Sequence, residues 1–341
     1  MLETALLLSS AGFAGVSFAR FTLQWRIYRA NQKHDLDEVV RLLSKLKKLP
    51  TTPLGSAFST LTLMNIAIEL EDRELLEDTW EKAQSRSRFF VRLPELLTAS
   101  YCCGLRLHNE YQKAQSLLLP ALASLRQKLR DKTSQLCYER VATNLFLNHL
   151  ALGQLSDAEQ LLGEISVLLP ESHPTTQTSW KLGKAHLYFL SGERNLSFEA
   201  LQQVSISDFP KDHYTHCLFS YGLSRGLSRC GMGQMAKTAL PLHLPKRFTP
   251  LLKSKRLLAA ASLSAISDRP ETALSHFDDI LALRIRDGEA YIKASQLSRE
   301  IAEKERSLKF LHAALELDPE SHWAKIAQKK IQKAKDNTLE T

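Results

Sequence analysis

Apolar residues recur along nearly the whole chain at the three- and four-residue spacing of an amphipathic helix. In the run LLEDTWEKA, the residues Leu76, Trp80 and Ala83 fall on one face of a helix. In DAEQLLGEI, Ala158 and Leu162 share a face in the same way. We find no convincing run that alternates between apolar and polar residues as a half-buried strand would. The pattern therefore predicts an all-α chain.

Glycine and proline divide this pattern into short helices. Gly153 and Gly192 stand where one helix gives way to the next, and Pro319 follows an apolar helix that it stops. Ser156 and Glu159 have the spacing of a capping box and predict a helix start there. These signals predict many helices joined by short turns.

The helices recur as pairs. In each pair the second helix carries a small or apolar residue, another four positions later and another three after that. The first of these positions are Val39, Leu76, Ala114, Ala158, Ser197, Ala236, Ala273 and Ser307. The steps between them are 37, 38, 44, 39, 39, 37 and 34 residues. A helix pair repeated at this period predicts an α-solenoid, because one pair cannot bury its apolar stripe without its neighbours.

The repeated unit resembles the tetratricopeptide repeat (TPR) family, whose units run about 34 residues. The matching residues of the last unit are Ser307, Leu311, Ala314 and Pro319. The first helix of that unit departs from the family at Ser298, where Tyr is expected. The resemblance implies a right-handed superhelix of about eight antiparallel helix pairs. It also implies a non-catalytic scaffold that binds peptides or partner domains in a concave groove.

The N-terminal segment differs from the repeats in its composition. The predicted parts of the chain are residues 1–30, a membrane anchor or first helix, residues 31–330, the TPR-like solenoid, and residues 331–341, a polar C-terminal tail. Residues 4–25 form an apolar run in which Arg20 is the one charge, and basic residues follow it. By the positive-inside rule this predicts a membrane-anchored protein with cytoplasmic repeats. The alternative is a buried first helix in a soluble cytoplasmic protein.

The charge of the chain is concentrated in one segment. The 341 residues include 45 Lys and Arg against 37 Asp and Glu, with 44% hydrophobic residues, which excludes a disordered chain. Residues 211–256 contain nine Lys or Arg against Asp212 alone, and Pro241, Pro245 and Pro250 predict a loop there. Such a segment attracts acidic peptides, anionic lipid or nucleic acid. Its few aromatic residues favour nucleic acid least.

The TPR resemblance assigns particular residues to the groove. The concave-facing positions of the first helices, carried over unit by unit, are Arg106, His186, Arg225, Lys255 and Arg299. Four of these are permanent cations, and Arg and Lys donate charge-assisted hydrogen bonds to carboxylates. The resemblance therefore implies a protein or peptide partner that presents an acidic segment or a chain terminus. A nucleic-acid-binding repeat protein is the first alternative.

A phosphate-binding loop supplies the second alternative, a nucleotide-binding enzyme. Residues 231–238 nearly spell G-x-x-x-x-G-K-[ST], whose glycines let backbone amides approach a phosphate. Ala236 replaces the second glycine, and it is also the small packing residue of its repeat. We therefore expect no enzyme, no cofactor and no small-molecule substrate.

The cysteines and histidines offer little metal chemistry. The zinc-compatible residues nearest to one another are His213, His216, Cys217 and Cys230. Histidines in a basic surface segment are usually solvated, so we expect no metal site. The five cysteines have neither disulfide-framework nor zinc-ribbon spacing, which favours free thiols in a reducing compartment.

Overall fold

The computed structural model of the protein is helical throughout its described part. The described residues are 22–23, 25–27, 29–30, 36–47, 53–86, 93–127, 132–168, 172, 174–207, 209, 214–241, 249–267 and 270–339. They hold sixteen labelled helices and no strand. The helices are Leu36–Lys47 (α1), Pro53–Leu70 (α2), Arg73–Arg86 (α3), Leu93–Leu107 (α4), Tyr111–Arg126 (α5), Lys132–Leu152 (α6), Leu155–Ser166 (α7), Pro174–Leu190 (α8), Arg194–Gln202 (α9), Tyr214–Arg229 (α10), Gly233–Thr238 (α11), Pro250–Ser264 (α12), Pro270–Ala282 (α13), Gly288–Glu300 (α14), Lys304–Leu317 (α15) and His322–Leu339 (α16). The all-α prediction is confirmed.

The predicted helix-pair repeat is present. Seven pairs run from α2–α3 to α14–α15, with α1 before them and α16 after them. Each of the eight marker positions lies in α1 or in the second helix of a pair, and none is more than 3% exposed. The spacing thus identified the residues that bury the stripe shared by neighbouring helices.

The turns within the pairs follow the glycine signals. Gly153 and Gly192 have φ angles of 74° and 83° between the two helices of their pairs, a region that favours glycine. The capping prediction at Ser156 is wrong, because α7 begins at Leu155 and Gln154 occupies the N-cap without a side-chain bond. The preceding turn already closes through Gln154 N, which donates to the His149 carbonyl at 2.9 Å.

Successive turns of the solenoid touch one another. Helix α12 contacts α2, Asn109 Nδ2 donates to the Leu317 carbonyl at 2.7 Å, and Gly153 abuts the ring of His322. Each of these contacts joins a pair to the unit five units further along the chain. One superhelical turn therefore takes about five pairs, and the concave side of the array becomes a lumen. The handedness of the superhelix stays a prediction.

The N-terminal prediction falls mostly outside the described residues, which begin at residue 22. Within the described part, Ile27 and Ala30 are buried against Val39 and Ile66, so this stretch packs on the first repeats. None of the helices in the described ranges combines the length and apolar content that a membrane crossing requires.

The structure differs from two further predictions, which concern the C-terminal tail and the loop at Pro250. Helix α16 continues past the predicted tail boundary at residue 331, because Ile331 is buried in the C-terminal core. Pro250 was predicted to lie in a loop, but it is the first residue of α12. Thr249 caps that helix by accepting a hydrogen bond from Leu252 N at 3.2 Å. Proline is favoured at this position because its missing N–H would have no helical partner there.

Candidate functional site

The first helices of the pairs enclose the lumen of the solenoid. It has a volume of about 910 Å³, and α4, α6, α8, α10 and α12 form most of its wall. Four of the five predicted groove residues line it, namely Arg106, His186, Arg225 and Lys255. Arg299 does not, since it is exposed in the last turn of α14, where a cation faces the negative end of the helix dipole.

The lumen wall combines apolar side chains with an excess of positive charge. Leucine and isoleucine make up much of its surface. Its charged residues are the cations Arg106, Arg225, Arg229, Lys255, Arg284 and Arg286, and the acids Glu71, Asp287 and Glu316. Six cations thus face three carboxylates. The excess is uneven, because some of the cations are paired within the wall and others are not.

Arg225 and Arg229 belong to an ion-pair network that joins α10 to the start of α14. Arg225 donates to both carboxylate oxygens of Asp287, at 2.6 and 2.8 Å, and to Glu289 Oε2 at 3.0 Å. Arg229 Nε donates to Glu289 Oε1 at 2.7 Å. Asp287 also caps α14 by accepting from Ala290 N at 3.0 Å. Bidentate geometry of this kind is what guanidinium and carboxylate groups form best.

The pKa values of the two carboxyls show how strong this pairing is. Burial alone would raise the pKa of Asp287 and of Glu289. The Arg225 charge opposes burial at both groups, and Arg229 adds to it at Glu289, so both pKa values lie below their ordinary range. Both groups are therefore ionised, and this part of the basic segment is neutralised inside the protein.

Arg106 and Lys255 differ from that pair. Arg106 Nε is buried and makes no hydrogen bond to the residues that the structure describes. Lys255 has neither a hydrogen bond nor an ion pair with any residue in the described ranges. Burial lowers the pKa of Lys255, and the charges of Arg225 and Arg106 act in the same direction against Asp287 and Glu71. An anion in the lumen would supply the partner that these two cations lack.

His186 is a third group in the wall with an unsatisfied atom. Its ring stacks on Phe189, but its buried Nε2 atom makes no hydrogen bond to the described residues. Burial lowers the pKa of His186 to about 3, with the charge of Arg229 contributing, so the ring is neutral at pH 7. His186 therefore adds hydrogen-bonding capacity to the lumen and no charge.

Sequence reasoning missed the acidic half of the network. The run Asp287-Gly288 before an apolar helix is a recognisable N-cap signal. Nothing in the sequence indicates that Asp287 meets Arg225, because the two are 62 positions apart. The sequence therefore indicates the helix cap at Asp287, but it does not indicate the ion pair between Asp287 and Arg225.

The phosphate-loop-like run adopts a different structure. Residues 231–238 follow α10 and form a turn and α11, and Ala236 is fully buried in its repeat position. Ala236 N donates to the Met232 carbonyl at 2.8 Å, so this amide is used within the helix. A phosphate-binding loop instead follows a strand and keeps its amides free for the ligand.

The zinc-compatible residues are only partly described, since His213 lies outside the described ranges. Cys217 is buried in an apolar cluster with Tyr214 and Leu252. Across the described ranges, no three His, Cys, Asp or Glu side chains converge as metal ligands would. The five cysteines all lie in the described ranges, and none of them forms a disulfide there.

Comparison with known proteins places the chain by its fold. No family model matches it, and no curated protein matches it. Among solved structures it is similar to the Rap conjugation gene regulator of the plasmid pLS20, solved in complex with the Phr* peptide. The TM-score is 0.60 with 11% identity, covering 93% of this chain and 96% of that chain. At this identity the likeness shows the fold alone, and it supports a TPR-like helical repeat protein.

Proposed function

We propose that this protein is a non-catalytic scaffold that binds a protein or peptide partner in its lumen. The observation that carries the proposal is the pair of cations, Arg106 and Lys255, that line the lumen without an ion pair to any carboxylate of the described residues. The carboxylates of a partner's acidic segment or chain terminus would form ion pairs with both cations. The Rap regulator supports the proposal as a protein of similar fold that was solved with a peptide bound.

Physical chemistry favours an anionic partner. A buried cation without a counterion costs free energy, and a hydrogen bond between charged groups contributes about 1.5 to 3 kcal/mol. A carboxylate that entered the lumen would remove that cost and gain the bond. The apolar remainder of the wall would bury the partner's apolar side chains and contribute the hydrophobic part of the affinity.

The two alternatives gain no comparable support. A nucleic-acid-binding protein would use its basic segment for phosphates, and two of that segment's nine cations, Arg225 and Arg229, are already held by Asp287 and Glu289. A nucleotide-binding enzyme would rely on residues 231–238, whose backbone forms a turn and α11.

The test is a binding titration with a defined probe. Fluorescein-labelled hexapeptides rich in Asp and Glu are titrated with the full chain, and fluorescence anisotropy reports binding. We expect Arg106→Glu with Lys255→Glu to weaken binding more than tenfold, because two attractive charges become repulsive. Arg225 is left unchanged, since its reversal would also break the ion-pair network.

Arg299→Glu is the matched control, because it makes the same charge change on an exposed residue outside the lumen. It should leave binding within about twofold, and circular dichroism should show every variant folded. Peptides with Asn and Gln in place of the acids should bind weakly. Equal binding by the double variant and the unmodified protein would refute the proposal.

Membrane tethering through residues 4–25 is a separate part of the proposal. It is tested by fractionating cells that express the full chain or a chain that lacks residues 1–30. We expect the full chain in the membrane fraction after carbonate washing and the truncated chain in the supernatant. A full chain that carbonate releases is not anchored.

A further inference from the structure

Two carboxyl groups of the described structure have an oxygen atom that is buried without a hydrogen bond, Glu69 Oε2 and Asp318 Oδ1. Both groups lie where one superhelical turn meets the next. Glu69 is in α2, which contacts α12, and Asp318 follows α15, whose last residue bonds to the turn before α5. Buried polar atoms are almost always hydrogen-bonded, so two exceptions in one interface point to a shared role.

Asp318 is enclosed by the start of α14 and by the turn between α4 and α5. It is 3% exposed, and its Oδ2 atom accepts a hydrogen bond from Gly288 N at 2.9 Å. The preceding carbonyl, that of Leu317, accepts the bond from Asn109 Nδ2 that joins the two turns. The carboxyl group therefore cannot become hydrated unless this contact opens.

The charge that acts most strongly on Asp318 is that of another carboxylate, Asp287. Burial and this charge raise the pKa of Asp318 to about 6, against hydrogen bonds from Gly288 N and the hydroxyl groups nearby. The titratable and polar groups around Asp318 are Asp287 and Tyr291 of α14, Tyr111 of α5 and Ser321 before α16. An ionised Asp318 is thus buried beside a second negative charge.

Glu69 is held in a similar way at the other contact between turns. Burial raises the pKa of Glu69 to about 7, against hydrogen bonds from the hydroxyl groups of Tyr214 and Thr249. Those two residues stand at the starts of α10 and α12. The other titratable and charged groups around Glu69 and Tyr214 are Cys103 of α4, Arg140 of α6 and Glu71, which follows α2.

We propose that Glu69 and Asp318 form a proton-operated latch, which holds successive turns of the superhelix together when both carboxyls are neutral and loosens them when both are ionised. The carrying observation is that both carboxyl oxygens without a partner in the described residues lie in contacts between turns. The latch controls the closure of the lumen, and it does not depend on which partner the lumen binds.

The direction of the pH response follows from the two pKa values. A carboxyl that leaves its contact becomes hydrated and regains an ordinary pKa of about 4. Closure therefore takes up protons, so it is most favoured below about pH 4 and is lost as pH rises through about 6 at Asp318 and about 7 at Glu69. Between pH 5 and pH 8 the equilibrium constant for closure should fall up to about tenfold from Asp318 and up to about 80-fold from Glu69.

Hydrogen exchange of the full chain at pH 5 and pH 8 tests the latch, with rates expressed as protection factors to remove the intrinsic pH dependence of exchange. The reporter is Gln112 N, which donates to Glu320 Oε2 across the contact between turns at 2.8 Å. The reference is Ser197 N, which donates to the Glu193 carbonyl at 3.0 Å within one pair. We expect protection of Gln112 to fall about tenfold or more at pH 8 and that of Ser197 to change less than about twofold. Equal protection of Gln112 at both pH values overturns the latch.

Asp318→Asn with Glu69→Gln fixes both side chains in the neutral form. This double variant should keep the pH 5 protection of Gln112 at pH 8. Small-angle X-ray scattering should give it the same radius of gyration at both pH values, whereas that of the unmodified protein should increase at pH 8. Glu199→Gln with Asp279→Asn is the matched control, because it removes two carboxylates from exposed positions on second helices.

The control variant should retain the full pH response of the unmodified protein. A response of the same size in Asp318→Asn with Glu69→Gln would overturn the proposal. Should circular dichroism show that this double variant is unfolded, the two single variants decide, because each should retain a reduced response. An unreduced response in both single variants would overturn the proposal equally.

Discussion

Two sets of cations line the same lumen, and they differ in what holds them. Arg225 and Arg229 lie 2.6 to 3.0 Å from carboxylate oxygens of Asp287 and Glu289. Lys255 lies in the same wall without an ion pair in the described structure, and Arg106 Nε is buried without a hydrogen bond. Both sets come from first helices, and all four side chains are partly buried. Pairing, rather than burial or charge, separates the residues that hold the fold together from those we assign to a partner.

The energetic consequences of the two arrangements are opposite. A buried ion pair with good geometry adds little net stability, but removing one partner strands a buried charge and costs several kcal/mol. A buried cation with no partner already carries such a cost, and removing it should relieve the fold. Functional sites commonly retain groups that weaken the protein in this way.

The largest expected effect follows from breaking the paired set. Arg225→Ala leaves Asp287 without its bidentate partner and Glu289 with one cation instead of two. We expect the free energy of unfolding to fall by about 3 kcal/mol, measured by urea titration at pH 7. Arg299→Ala is the control and should change stability by less than about 0.5 kcal/mol. A loss below about 1 kcal/mol for Arg225→Ala would show that the network is not structural.

A partly buried carboxyl group, that of Glu69, can be compared with the unpaired cations of the lumen. Glu69 lies at the contact of α2 with α12, and its Oε2 atom has no hydrogen-bond partner. Burial raises the pKa of Glu69 to about 7, against hydrogen bonds to Tyr214 and Thr249. Glu69 therefore escapes the cost of an unpaired charge by taking up a proton.

The pH dependence of stability tests whether Glu69 takes up a proton in the folded protein. In the folded protein the pKa of Glu69 is about 7, whereas in the unfolded chain it is about 4.3. The free energy of unfolding is therefore highest below the unfolded pKa, and the contribution of Glu69 is lost as pH rises through the folded pKa. Glu69→Gln should therefore raise the free energy of unfolding by about 3 to 4 kcal/mol at pH 8 and leave it nearly unchanged at pH 4. Equal effects at both pH values would contradict the assignment.

A smaller effect tests whether contacts between turns also hold the lumen closed. Gly153 and Gly192 both have positive φ, so alanine strains either turn by about 1 kcal/mol. A Cβ on Gly153 would also lie 2.6 Å from His322 Nδ1, whereas no atom of the described residues lies within 4 Å of one on Gly192. Gly153→Ala should therefore cost more than Gly192→Ala in thermal unfolding. Equal costs would mean that α16 moves aside freely.

Local spacing decided which parts of this molecule could be predicted from its sequence. The eight marker residues were predictable because helical periodicity alone determines which side of a helix is buried. Four lumen residues were assigned from the TPR register, whereas Arg299 lies exposed in the last turn of α14 and outside the lumen, although its unit has the family's length. The ring closure that joins Asn109 to Leu317 depends on small rotations summed over five pairs, which no local signal encodes.

The most direct test of the account measures the stability of Lys255→Met without any ligand. Met keeps the length and apolar stem of Lys and removes only the charge, so the variant isolates the cost of the unpaired cation. We expect its free energy of unfolding in urea to equal or exceed that of the unmodified protein, while binding of the acidic peptides weakens. A loss of stability approaching that of Arg225→Ala would show that Lys255 is structural and would contradict the division on which the account depends.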